Sequence, residues 1–293
     1  MSKMSLPVPR EFSYEMNLQF LLRSPRELLH RVEGNAVVKL VKAGDEKILF
    51  RITNGVDKLN IQFLNGTPTT GGKDFVVQYV TEWFDLENDL NPFYKMARDD
   101  KWMKDLTKKY YGYRIIGQPD LFESLVWAVL GQQINLQFAY TMKGRFVEHF
   151  GERLVWKGQS YFLFPEPTLV AGLSHDILQP LQFSRQKSLY SVTIAQAFAK
   201  GEISKASLTG LPLQEAKEKL MMIKGVGNWT ANYALMKTFR YRDAFPLEDA
   251  GVHNAIKNLK KMDRKPTLDE VKRFFKKYKG WEAYATLYLW KSL

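Results

Sequence analysis

The spacing of apolar positions changes once along this chain, near residue 74. Before it, MNLQFLL (16–22), NAVVKLVKA (35–43), KILFRI (47–52) and KLNIQFL (58–64) are short runs rich in β-branched and aromatic residues. Gly44-Asp45 and Asn54-Gly55 punctuate them, so short strands joined by tight turns are predicted. Between the first two runs, Ser24-Pro25-Arg26-Glu27 has capping-box spacing with proline at the first helical position, which predicts a helix.

After Asp74 the apolar residues recur every three to four positions, in FVVQYVTEWF, in FYKMARDDKWMKDLTKKY and in PDLFESLVWAVLGQQINLQFAYTMKGRFVEHF. That period predicts helices, with few further strands. In the last stretch Phe122, Leu125, Val126, Val129 and Leu130 share one face after Pro119-Asp120, which starts and caps the helix. Helices are also expected over 184–200, 213–222, 229–239, 268–278 and 281–291. No repeat or low-complexity linker interrupts them. The fold expected is α+β: an N-terminal antiparallel sheet domain with helices over 1–95, then a mostly α-helical, two-lobed core over 96–293. A cleft between such parts is the default place for a ligand.

One helical run is broken. In LMMIKGVGNWTANYALMKTF, Gly225 and Gly227 flank Val226, and the helix restarts at Asn228, Trp229 and Thr230. Leu220, Ile223 and Val226 supply apolar pins for two helices meeting at an angle. The first N–H groups of the second helix have no intrahelical partner, so a phosphate oxygen fits there. A bare helix–helix corner explains the same glycines equally well.

Charge favours the first alternative. The 293 residues carry a net charge of +12 with a pI near 9.5, which suits a polyanion, nucleic acid ahead of an acidic membrane surface. KKYYGYR (108–114), KNLKKMDRK (257–265) and KRFFKKYKG (272–280) concentrate the excess, although each alone could be a solvated helix face. With no cysteine there is no disulfide, thiolate-bound zinc or cysteine-held iron–sulfur cluster. His30, His149, His175 and His253 lack metal-ligand spacing. No apolar run approaches the roughly 20 residues of a spanning helix, so a soluble, intracellular protein is expected.

Beyond the glycine turn the chain continues WTANYALMKTFRYRDAFPLEDAGV. This resembles the helix–hairpin–helix DNA glycosylase superfamily, whose signature is a leucine-anchored L-x-G-[VI]-G hairpin followed about twenty residues later by one aspartate. Here that aspartate is Asp249. WTANY, the FP…D segment before Asp249 and the terminal WEAYATLYLW are most similar to the 3-methyladenine DNA glycosylase II (AlkA-type) branch. PDLFESLVWAVLGQQI and FSRQK extend the resemblance over essentially the whole chain.

The resemblance implies a monofunctional DNA glycosylase of base excision repair, acting on double-stranded DNA that contains damaged bases. It would flip out an alkylated purine, 3-methyladenine or 7-methylguanine, and leave an abasic site, with neutral lesions slower. Asp249 matches the catalytic aspartate, although an aspartate before AGVHNAIKNLKK is also an ordinary N-cap; Glu248 beside it is expected to be solvated. Some relatives carry a nucleophilic lysine where this chain has Trp229, so no strand cleavage is expected. Trp229, Tyr233 and Trp281 match base-pocket positions, with Tyr284 and Trp290 as further candidates and core packing as the alternative role. Gly225, Val226, Gly227, Asn228 and Thr230 would grip phosphates, and Gln132 and Gln133 occupy the region that enters the gap left by a flipped base. Arg185 and Lys187 are expected to contact the DNA backbone.

No cofactor or metal is expected, and a monovalent cation at the hairpin carbonyls is compatible with the turn. The protein would act as a monomer away from membranes. A glycosylase for an oxidised or deaminated purine, and a non-catalytic duplex-binding protein, are the alternatives.

Overall fold

The computed structural model describes residues 2–293, the His175 side chain excepted. Its N-terminal part is a five-stranded antiparallel sheet in the order β1-β5-β4-β3-β2, from β1 (Lys3–Pro7), β2 (His30–Glu33), β3 (Ala36–Ala43), β4 (Glu46–Gly55) and β5 (Lys58–Phe63). β3 is apolar on both faces because both are covered. On one, Leu18 of α1 (Tyr14–Leu21) and Val76 and Val80 of α2 (Thr70–Trp83) join Val37, Phe50 and Ile61 in one core. On the other, Val38, Leu40 and Leu49 meet Tyr161 and Trp156 of a later hairpin, β6 (Arg153–Trp156) and β7 (Gln159–Phe162).

Two N-terminal expectations are corrected. Residues 16–21 lie in helix α1, with Leu22 as its C-cap, rather than in a strand: Tyr14, Leu18 and Leu21 are buried at helical spacing, and the Ser13 hydroxyl accepts from the Met16 N–H at 3.3 Å. Residues 24–27 form no helix. Glu27, instead of reaching back to the Ser24 N–H, accepts from the Leu29 N–H at 2.9 Å and from the Lys143 ammonium at 3.0 Å. Burial of that pair matters more than a cap on one turn, and the Lys143 charge holds the Glu27 carboxyl near 2, against burial.

The helices fall into two lobes. One is built from α5 (Leu121–Gly131), α6 (Leu136–Phe150), α7 (Pro167–Ala171), α8 (His175–Leu178), α9 (Arg185–Ala199), α10 (Lys205–Leu208), α11 (Leu213–Met221) and α12 (Asn228–Ala234), which runs on as a π-helical turn over Leu235–Phe239. The other joins α3 (Asn91–Arg98) and α4 (Lys104–Lys109) to α13 (Ala250–Lys260), α14 (Leu268–Phe275) and α15 (Glu282–Lys291). The domain boundary expected at residue 95 falls inside α3, whose Phe93 ring packs against Trp281, Tyr284 and Tyr288 of the helical core. Asp120 caps α5 as its sequence position predicts, accepting from the N–H groups of Phe122 and Glu123.

Arg114, part of a run read as basic surface, is wholly buried. Its guanidinium donates to the carbonyls of Asp85 at 2.6 Å, Glu11 at 2.8 Å and Asn88, which pins the N-terminal segment to the start of the core. The Asp85 side chain, 1% exposed, accepts from Asn88 at 2.7 Å and from the Tyr284 hydroxyl. Burial pushes the Asp85 carboxyl up to about 6, against the nearby Arg114 charge. A carboxyl raised in the folded state contributes stability below its unfolded pKa and loses it as pH rises through about 6. Asp85→Asn is therefore expected to gain on wild type between pH 4 and 7, by up to roughly 3 kcal/mol; denaturant midpoints measured against pH check this, and a constant difference would refute it.

Candidate active site

Glycine is required at position 225 for two reasons, its backbone angle and its close approach to a ring. Gly225 has φ of 99°, and a Cβ there would lie 2.4 Å from the Tyr190 ring of α9. Leu220, Ile223 and Val226 are buried beneath the turn, as their spacing predicts. Gly227 caps α12 without a side chain, so the N–H groups that open α12 point outward uncapped. Asn228 is tied across the turn, its amide donating to both Glu248 oxygens at 2.9 and 3.0 Å. Thr230 is buried, and its hydroxyl accepts from the Gln132 amide at 3.2 Å, so its side chain does not reach outward to a phosphate.

Asp249 caps α13 and lines a cavity as well. Its Oδ1 accepts from the Val252 N–H at 2.8 Å and from the Trp290 indole at 2.7 Å, and its Oδ2 accepts from the Trp229 indole at 3.0 Å. Gly251 makes room for this: a Cβ there would sit 3.0 Å from both Asp249 Oδ1 and the Trp290 ring. The cavity beside the carboxylate has a volume of about 420 Å³ and an aromatic wall. Trp229 stacks on Tyr233 with centroids 5.3 Å apart and planes 22° apart, and Trp290 lies 6.4 Å from Tyr233. The Trp127 indole donates to the Tyr233 hydroxyl at 2.9 Å, and burial pushes that phenol up to about 12, so it remains a neutral group. A larger groove, of about 630 Å³ beside Phe75 and Phe122, holds none of the expected site residues.

Three expectations are changed by this geometry. Trp281 does not reach the cavity: it packs on Phe93 and Tyr284, with the Arg242 guanidinium 4.6 Å from its ring. Trp290 lies nine residues on, about two and a half helical turns, and so faces the opposite side of α15. Tyr284 is likewise buried, bound to Asp85. Lys187 does not face outward for a phosphate, because its ammonium donates to the carbonyls of Val129, Leu130 and Gln132 at 2.9, 2.8 and 2.7 Å. Gln133 is exposed with φ of 57°, and Arg185 is exposed on the first turn of α9.

The spacing did not disclose Phe20, Arg23, Trp127 and Lys237, which also line the cavity. Arg23 lies 3.8 Å over the Phe20 ring and donates to the Tyr140 hydroxyl. Lys237 is 2% exposed and donates to the Ile116 carbonyl; burial and the Arg23 charge push its pKa well below that of ordinary lysine. Helical spacing in residues 14–21 was the signal for Phe20, whereas nothing local marks Arg23 or Lys237. Among the described residues, no group of three or more His, Cys, Asp or Glu is arranged to hold a metal.

A sheet domain, a helical core with a glycine hairpin, and a carboxylate in an aromatic cavity between lobes together define a base-excision protein of the helix–hairpin–helix class. Residues 126–280 match the family described as HhH-GPD superfamily base excision DNA repair protein, and residues 14–125 match the 8-oxoguanine DNA glycosylase N-terminal domain. The chain belongs to the HhH-GPD superfamily of base excision DNA repair proteins. It is 42% identical to a DNA-3-methyladenine glycosylase of Bacillus subtilis (strain 168), over 98% of this chain and 96% of the relative. The fold matches that of a 3-methyladenine DNA-glycosylase from Archaeoglobus fulgidus with a TM-score of 0.85 and 20% identity, covering 98% and 97% of the two chains. A Schizosaccharomyces pombe 3-methyladenine DNA glycosylase in complex with abasic DNA matches 67% of this chain and 93% of its own, at 26% identity and a TM-score of 0.57.

Gly251→Ala tests the anchoring of Asp249. Alanine gains helix propensity, so thermal stability should change little, while displacing Trp290 and the carboxylate by a few tenths of an ångström is expected to slow base excision roughly three- to tenfold. Single-turnover rates beside melting curves give the answer; an unchanged rate would show that the two indoles do not need that fit.

Proposed function

We propose that this protein is a monofunctional DNA glycosylase that removes alkylated purines, 3-methyladenine and 7-methylguanine, from duplex DNA. The observation that carries it is the Asp249 carboxylate, aimed by two indoles at the edge of an aromatic cavity. Breaking the bond between base and deoxyribose develops positive charge on the sugar. A fixed carboxylate stabilises that charge and orients water, whose oxygen bonds to C1′ while its proton passes to Asp249 and the base leaves with the bonding electrons. Purines methylated at N3 or N7 have weakened glycosidic bonds and need little acid help.

Extrusion of the base costs a few kcal/mol, and stacking on an aromatic face returns roughly 1–3 kcal/mol. Trp229, Tyr233 and Trp290 supply those faces, and Trp290 takes the part first expected of Trp281. The hairpin from Gly225 to Asn228 grips a phosphate through backbone N–H groups, Arg185 makes a second backbone contact, and Gln133 enters the gap left by the flipped base. Trp229 stands where a lysine nucleophile would be needed, so the strand stays intact. The protein works as a monomer on damaged duplex DNA inside the cell, without a cofactor.

Wild type should release methylated purines from alkylated duplex DNA with strands unbroken, and Asp249→Asn should lose roughly 10²–10⁴-fold in rate while still binding DNA. Chromatography of the released bases, with strand integrity followed in parallel, tests both halves. Near-normal release by the variant would remove Asp249 from the chemistry, and strand scission without heat or alkali would contradict the monofunctional assignment.

A further inference from the structure

The three carbonyls held by Lys187 belong to the C-terminal end of α5 and the loop after it. These carbonyls lie at the negative end of the helix dipole, where only the Val129 carbonyl is shared with a backbone donor, the Gln132 N–H at 3.2 Å, so an ammonium fits them. This ammonium has no carboxylate partner in the described residues: burial is the one influence on its pKa, lowering it to about 8. The fold thus keeps a half-buried lysine bound to backbone alone. In the same loop Gln132 donates its amide to Thr230 of α12 at 3.2 Å, and Gln133, the next residue, is exposed in the left-handed region with φ of 57°.

The loop is therefore clamped from two sides. α9 reaches it through Lys187, and the second helix of the hairpin reaches it through Thr230. Immediately after Gln132, which both clamps hold, the backbone takes a conformation that a residue other than glycine rarely adopts, and that conformation displays Gln133.

We propose that Lys187 is a positioning residue that holds the 131–134 loop in the shape needed for Gln133 to enter the duplex. This rests on the wedge role proposed above for Gln133. Because the clamp acts on base extrusion and not on the bond-breaking step, its removal should matter when the lesion must be unstacked from a pair. It should matter little when the lesion is already unpaired.

The test is single-turnover release of a methylated purine, at saturating enzyme, from two duplexes: the lesion paired normally, and the same lesion opposite an abasic site. Lys187→Met, Thr230→Val and Gln133→Ala are compared with wild type, and the salt dependence of binding is measured for each. Lys187→Met and Gln133→Ala should each lose roughly 10- to 100-fold on the paired lesion and less than about threefold on the unpaired one. Thr230→Val, which frees only the second clamp, should shift the same ratio in the same direction. The salt slope should be unchanged in Lys187→Met, and its loss should disappear in a Gln133→Ala background.

An equal loss on both duplexes would mean a general structural role and overturn the proposal. A salt slope smaller by about one, with the rate of the bound complex unchanged, would return Lys187 to a phosphate contact and also overturn it. If Gln133→Ala leaves the ratio untouched, the wedge role itself falls. A sensitive Gln133→Ala beside an insensitive Lys187→Met removes Lys187 alone.

Discussion

Three helices meet at one carboxylate. Asp249 accepts from the Val252 N–H of its own helix, from Trp229 of the hairpin helix and from Trp290 of the last helix. Each donor comes from an element with a different place in the chain, so the position of the carboxylate depends on the packing of both lobes. The same indoles that orient Asp249 form part of the cavity wall, and the aromatic faces cannot shift without moving the anion. Gly251 is where this constraint reaches the sequence most directly, because any side chain there would press on Asp249 and Trp290 together.

The sheet domain contributes to the cavity from a distance. Its strand β3 is buried on both faces, by α1 and α2 on one and by the β6–β7 hairpin on the other. Arg114, satisfied by three carbonyls, ties the N-terminal segment to the core. The buried Lys143 ammonium adds a second tie, joining Glu27 to Glu123 at 3.0 and 2.9 Å. These contacts fix α1, and α1 with the residues after it delivers Phe20 and Arg23 to the cavity.

How much of this was legible follows from the range of each interaction. The hairpin and Asp249 stood out because their geometry is set by residues close in sequence: a left-handed glycine, three apolar pins and a cap. Trp229 and Tyr233 share a face at i and i+4, and their stacking followed. Trp281 misled because a tryptophan at the start of a helix gives no sign of which side faces the cavity; only the position of α15 against α13 decides that, and it places Trp290 there. Lys187 misled in another way. A lysine two residues after Arg185 in the first turn of a helix reads as a contact to the DNA backbone, and the carbonyls that hold it lie more than fifty residues earlier. Three of the four N-terminal strands formed as their patterns predict; residues 16–22 failed because a helical spacing capped by Ser13 was taken for a strand, and residues 24–27 because a tertiary partner of Glu27 outweighed the local capping pattern.

Arg23 alters the physical basis of lesion choice. From sequence, aromatic faces alone favour a cationic purine, by ~1–2 kcal/mol over a neutral one. The cavity also carries a guanidinium stacked on Phe20, without an ion-pair partner in the described residues, and a like charge opposes a cationic base. The two effects have opposite signs, so a charged base meets two opposed influences from the wall. On the function proposed above, the bond-breaking step adds a further distinction, because a methylated, positively charged purine leaves easily and an intact guanine does not.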